Sequence, residues 1–259
     1  MRNILAIVER ELRAYFNSPI AYVVLTIFVF LSGLFFRSIL AQVMEMGLMS
    51  QMQAQQFGPR PMDMPGMISR GFLSTMSVIL LFIMPMLTMG LFSEEKKRGT
   101  IELLLTAPLT DLQVVLGKFL AAASFFVILL STTWIPMAVL YLYSDPASGP
   151  ILTAYLGLLL YGLAIVAVGL FISTLTENQI IAAVLSFGTI MVLWLVDVVA
   201  NNAESPASKA VLTYLSILSH LDDFMKGVLS TSHIIFYVSL MLVGLFLTYR
   251  SIDSLRWRG

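Results

Sequence analysis

The sequence contains no cysteine, and only two histidines, His220 and His233, among its 259 residues. The first absence excludes disulfides, thiolate metal sites and a cysteine nucleophile. The second leaves little for a histidine-based metal or acid–base site. Charge is also scarce, at 12% of residues, where soluble domains run near a quarter. The formal net charge is zero, which gives no argument for a nucleic-acid partner. No G-x-x-x-x-G-K-[ST] run occurs, so the chain carries no P-loop, and H-E-x-x-H and G-x-S-x-G are absent too. What remains is apolar: 58% of residues are hydrophobic and the mean hydropathy is +0.90. That composition belongs to a membrane protein.

A helix needs about 20 mostly apolar residues to cross the hydrocarbon core. Six segments meet or approach that length: 20–41, 72–92, 119–143, 151–175, 180–200 and 234–249. The expected fold is therefore an all-α integral membrane protein with a single transmembrane domain over 1–259. The last segment is short and is expected to begin earlier or in a re-entrant region. Lys and Arg placement sets the orientation. With the N-terminus inside, the inner segments hold Arg2, Arg10, Arg13, Lys96, Lys97, Arg98, Lys118, Arg250, Arg256 and Arg258. The outer segments hold Arg37, Arg60, Arg70, Lys209 and Lys226. Both termini and the 94–118 loop are then cytoplasmic, while 42–71 and 201–233 are extracytoplasmic. A cleaved signal peptide is not expected, because no small-x-small site follows the long first apolar run.

Residues 1–19 read as an interfacial helix. Ile4, Leu5, Val8, Leu12, Tyr15 and Phe16 recur at three- and four-residue spacing, with Arg2, Glu9 and Arg13 opposite. Asn17, Ser18 and Pro19 break it and start the first span. The first outer segment is methionine-rich, with Met44, Met46, Met49, Met52, Met62, Met64 and Met67. Thioethers suit Cu(I), and methionine also fills irregular or lipid-facing surface; no cysteine or histidine joins the cluster. In 209–229, Val211, Leu215, Leu218, Leu221, Met225 and Val228 share one helical face. Ser216, Ser219, Asp222, Asp223 and Lys226 lie largely opposite, as in a helical hairpin dipping into the outer leaflet. His220 with Asp222 and Asp223 reads as the wet face of that helix, a metal site being the alternative. Asp197 and Arg37 lie near outer span ends, where solvation or snorkelling satisfies them, and Glu177 occupies a tight inner loop. No chain of acids and bases crosses the spans, and they do not divide into the two interrupted halves of many secondary carriers. In the fourth span Gly157, Gly162 and Gly169, with Ala154, Ala164 and Ala167, argue for close packing within a bundle or across a dimer.

One inner stretch, "LFSEEKKRGTIELLLTAPLTDLQVVLGKFL" from Leu91 to Leu120, is too structured for a plain charged loop. Ser93 is a candidate cap, with Glu94 and Glu95 favouring a helix N-terminus. Gly99 permits a break. "TIELLLTAP" fits a short amphipathic helix with Ile101, Leu104 and Leu105 on one face and Pro108 at its end, and Thr110 or Asp111 then caps the next helix. The stretch resembles the loop between the second and third spans of ABC type-2 exporter permeases. There the pattern is acidic residues, basic residues, Gly-Thr-[Ile/Leu]-Glu, a leucine patch, a proline and a later lysine. Glu94 or Glu95, Lys97 and Arg98, Gly99-Thr100-Ile101-Glu102, Leu103 to Leu105, Pro108 and Lys118 match it. The chain length and "YLSILSHLDDFMKGVLSTSHIIFY" resemble the gliding-motility-associated permeases most closely.

The resemblance implies a chain that is not itself an enzyme, in a bacterial inner membrane. ATP and Mg would be bound by a separate ABC ATPase subunit. The short helix would be the coupling helix docked in a groove of that subunit, with coupling residues Glu95, Lys97, Arg98, Gly99, Thr100, Ile101, Glu102, Leu104, Leu105 and Pro108. Ile101 and the leucines would be its anchors, and Glu95, Lys97, Arg98 and Glu102 its rim. It also implies a second permease copy, identical or related, and contact with membrane lipid. Substrates of such exporters range from lipids and glycans to drugs, peptides and ions. Two other readings share the topology: a membrane scaffold of a motility or envelope complex, and a copper- or maturation-linked ABC permease.

Overall fold

The computed structural model describes residues 2–57, 62–101, 109–202 and 205–256. The described residues form α-helices and contain no strand. In chain order they are α1 (Arg2–Asn17), α2 (Pro19–Phe57), α3 (Met64–Thr88), α4 (Gly90–Lys97), α5 (Asp111–Thr132) and α6 (Trp134–Tyr143). There follow α7 (Ser148–Ser173), α8 (Gln179–Asn201), α9 (Pro206–Leu215), α10 (Ile217–Met225) and α11 (Thr231–Arg256). Six candidate spans run Pro19–Met52, Met64–Lys97, Asp111–Tyr143, Ser148–Ser173, Gln179–Ala200 and Thr231–Ser254. The last begins earlier than its apolar run, because Thr231 and Ser232 open the helix.

The spans fall into two classes. The most apolar stretch of α7 is 72% buried, and those of the α3–α4 and α5–α6 spans are each 67% buried. The corresponding stretches of α2, α8 and α11 are 28%, 17% and 22% buried. The centre is thus α7, with α3, α5, α8, α10 and α11 packed around it. Its small residues make this possible. A Cβ on Gly162 would lie 2.1 Å from Phe126, and one on Gly169 would lie 2.2 Å from the Thr88 hydroxyl. On α11, a Cβ at Gly244 would meet the Ala167 backbone at 2.8 Å. The small-residue face of the fourth span therefore serves packing inside this chain. Within the bundle the Tyr161 hydroxyl donates to the Ser77 carbonyl (3.2 Å) and the Thr88 hydroxyl to the Met84 carbonyl (3.0 Å).

Several expectations change. In the methionine-rich segment α2 continues to Phe57, and α3 starts at Met64 with Asp63 accepting from the Gly66 amide. Met, Gln, Ala, Glu and Leu are strong helix formers, and no proline interrupts α2 after Pro19. The 209–229 stretch does hold two short helices, as a helical hairpin would, and they divide at Ser216, whose extended backbone lets its hydroxyl cap α10 through the Ser219 amide. The expected apolar face breaks with it: Leu221 and Met225 are buried, whereas Val211, Leu215 and Val228 are exposed.

Candidate functional site

The end of the bundle rich in Lys and Arg is built from α1, α4 and the start of α5. Ser93 does not cap a helix there. It is buried within α4, and its hydroxyl donates to the Met89 carbonyl. With α3, α4 makes one span, Met64–Lys97, so the second membrane helix carries its charges outward without a break between Gly90 and Lys97. Gly99 ends that helix. At φ 68° it occupies the left-handed region, with its amide bonded to the Lys96 carbonyl (3.1 Å) and the Thr100 amide to the Glu95 carbonyl (3.0 Å). This is a Schellman stop, which needs glycine. On the far side of the loop, Thr110 caps α5 in a capping box with Gln113. Glu102, Leu104, Leu105 and Pro108, with Leu103, lie outside the described residues.

α1 packs along α5, with Ile7 buried against Gly117. The alternation that places Ile4, Ile7 and Tyr15 on that face also places Glu11 there. Glu11 meets Lys118, which is only 1% exposed, at 3.1 Å. Lys118 also pairs with Glu95 at 3.0 Å and lies 5.1 Å from the centre of the Phe92 ring. Arg10 completes the group, 2.6 Å from Glu11 and 3.0 Å from Glu95. Two cations and two carboxylates thus tie the N-terminal helix to both ends of the 98–110 loop. Burial pushes the Glu11 carboxyl up, but Lys118 and Arg10 outweigh it and hold the group below the usual carboxylate range. Burial likewise acts against the charge on Arg10, and the two carboxylates outweigh it.

Among the residues expected at a docking rim, Glu95 faces inward into this network, with its Oε2 buried and without a hydrogen-bond partner among the described residues. Lys97, Arg98, Gly99 and Thr100 are exposed, Arg98 pairing with Glu94 one turn away, and Ile101 is half-buried. Arg10, Glu11 and the pairing role of Lys118 were not read from the sequence. The available signal was a lysine flanked by apolar residues in "VVLGKFLAAA", a position where charge needs a partner. The other face of α1 leaves Leu5, Val8, Leu12 and Phe16 lining an open groove, as an interfacial helix requires.

At the opposite end, α9, α10 and α11 surround a polar cavity of about 760 Å³. His220 is not on a wet face: it is buried, and stacks on Phe236 at 4.1 Å. Asp222 is exposed and Asp223 half-buried. Among the described residues no group of three or more His, Cys, Asp or Glu side chains is placed to hold a metal ion. Met44, Met46, Met49 and Met52 are exposed along α2. At about 100° per residue, they are spread around the helix and do not converge on one point.

An all-helical, six-span membrane protein with a charged helical junction at one end is the class these features define. A family model described as ABC-2 family transporter protein matches residues 5–251, and the chain belongs to that family. It is also similar to the "Probable multidrug ABC transporter permease YbhR" of Escherichia coli (strain K12), 28% identical over 137 residues. The same match is found to that protein of Escherichia coli O157:H7. The aligned region covers 52% of this chain and 37% of each relative.

Proposed function

We propose that this chain is the transmembrane permease subunit of an ATP-driven ABC type-2 exporter, coupled to a separate ATPase subunit through the 98–110 loop. Membership of the ABC-2 family carries this reading. The geometry supports it: a Schellman stop and a capping box bound the loop, and the Arg10–Glu11–Glu95–Lys118 group fastens both of its ends to α1. A push on the loop would pass through α4 into the second span and through α5 into the third, as rigid-body rocking requires. Lys97, Arg98 and Thr100 are exposed for docking, Ile101 and the leucines of 103–105 supply apolar anchors, and Glu95 acts from behind by holding the docking segment in place. ATP and Mg belong to the partner in this reading, and the chain itself performs no chemistry.

The basic end faces the cytoplasm of a bacterial inner membrane, by the Lys and Arg asymmetry. The sparsely covered faces of α2, α8 and α11 are left for lipid and for a second permease copy, identical or related. Kinship with the gliding-motility-associated permeases rests on the "YLSILSHLDDFMKGVLSTSHIIFY" stretch and the chain length. Leu104→Asp tests the docking claim. The variant is expected to insert normally and to lose co-purification of the ATPase subunit. Retention of the ATPase by the double variant Leu104→Asp, Glu102→Lys would overturn it.

A further inference from the structure

We propose that His220, His233 and Asp223 form a proton-binding site at the wall of the polar cavity, holding one shared proton that latches α9 and α10 to the start of the last span. Hydrogen-bond accounting carries the inference. His220 Nε2 lies 2.9 Å from the Tyr214 carbonyl, which can only accept, so that nitrogen bears a hydrogen. His233 Nε2 lies 3.0 Å from the Asp223 carboxylate, which also accepts, so that nitrogen bears one too. The two Nδ1 atoms are 2.6 Å apart, a contact that needs one hydrogen between them. Four ring nitrogens therefore hold three hydrogens, and the pair carries one positive charge.

The surroundings place that charge. His220 is buried and packed between the Phe236 and Tyr214 rings, and His233 is beside Asp223 at the cavity. Burial, with the positive charge of His233 acting the same way, disfavours a charge on His220 and outweighs the Tyr214 carbonyl and Asp223, which favour it. Facing the pair are Asp222 on α10 and Lys226 at its C-terminal cap, which pair with each other, and Lys226 also approaches Asp223 at 3.7 Å. From α9 come Lys209 and Tyr214; from α8 comes Asp197, which accepts from Ser216 at 3.2 Å. On α11, Tyr237 donates to the Ile217 carbonyl at 2.7 Å. α3 contributes Ser74 to the cavity and binds the end of α10 through Arg70 and the Met225 carbonyl (3.2 Å). α7, behind α10, has no charged residue.

The bridge joins three elements. His220 holds the last turn of α9 through Tyr214, and His233 holds α11 to α10 through both His220 and Asp223. Its state depends on proton number in both directions. Loss of the shared proton leaves two Nδ1 lone pairs facing each other at contact distance. A second proton puts two imidazolium rings in contact. The latch is closed with one proton and weakened with none or two; imidazoles as a class change charge between about pH 5 and 8, and the burial that disfavours a charge on His220 moves the second protonation toward acid.

The chain has two histidines and no cysteine, which suits a direct test. In ¹⁵N-histidine-labelled full-length chain in lipid nanodiscs, the ring nitrogens should show three protonated and one bare within that pH range, with coupling across an N–H···N bond. Asp223→Asn should move the spectrum to two and two at the same pH. Two neutral rings in the native chain, rings that titrate independently, or a spectrum indifferent to Asp223→Asn would overturn the site. Nitroxides at Ala207→Cys and Val238→Cys read the latch separately. Their distance distribution should be narrow where the shared proton is present and broader at pH values above and below. A distribution unchanged through the loss of the bridge would overturn the latch.

Discussion

Replacing Lys118 with methionine keeps most of the length and volume of a side chain that is 1% exposed, so the loss is chiefly of charge. Glu11 and Glu95, at 14% and 18% exposure, are left with Arg10, which is 53% exposed. Breaking a buried ion pair costs about 3–5 kcal/mol, because the remaining charge is left uncompensated. Arg10 still faces both carboxylates, and both retain some access to water, so the lower end, about 3 kcal/mol, applies here. That loss falls on the docking of α1 against α5. At about 1.4 kcal/mol per decade, amides that exchange by undocking of α1 should exchange about a hundredfold faster, as read by hydrogen exchange on the full chain in nanodiscs. The triple variant Lys118→Met, Glu11→Gln, Glu95→Gln should recover much of the protection, since removing a whole buried charge set costs less than orphaning part of it. Protection in Lys118→Met within about threefold of the native chain would refute the reasoning. A triple variant no better than the single one would refute its electrostatic basis.

Two further outcomes are expected. Glu11 is held below the usual carboxylate range, so its contribution to docking is complete above its unfolded pKa of about 4.3 and is lost as pH falls through the lower folded value; protection of α1 should stay level from neutral pH to about 4.5 and fall below it, whereas a fall beginning near pH 6 would contradict the assignment. Gly244→Ala should destabilise the chain by about 1–3 kcal/mol, since the added carbon meets the Ala167 backbone, while Gly33→Ala, with nothing within 4 Å among the described residues, should leave thermal stability unchanged or slightly raised.

Hydropathy gave the positions of the spans because the bilayer imposes a length that composition must meet. Their extents were harder to read. Residues 42–57 looked like a loop because hydropathy falls there, yet helix propensity carries α2 through them to Phe57. Ser93 looked like a cap because charges follow it, but a helix already begun at Gly90 absorbs it. Gly99 as a break and a cap at Thr110 or Asp111 were legible because positive φ and capping leave strong local signatures; the structure selects Thr110. The ion-pair group was not, since Glu11, Glu95 and Lys118 are distant in sequence and only the crossing of α1 over α5 brings them together. His220 was misplaced for a similar reason: Phe236 and His233, which bury it, come from the next helix.

Cross-linking from single cysteines in the otherwise cysteine-free chain tests the coupling claim most directly. With the ATPase subunit present, cysteines at Ile101, Leu104 and Leu105 should form adducts with it, and one at Lys226, at the opposite end, should form none. Adducts from Lys226, or none from the loop under conditions where the complex stays assembled, would contradict the account.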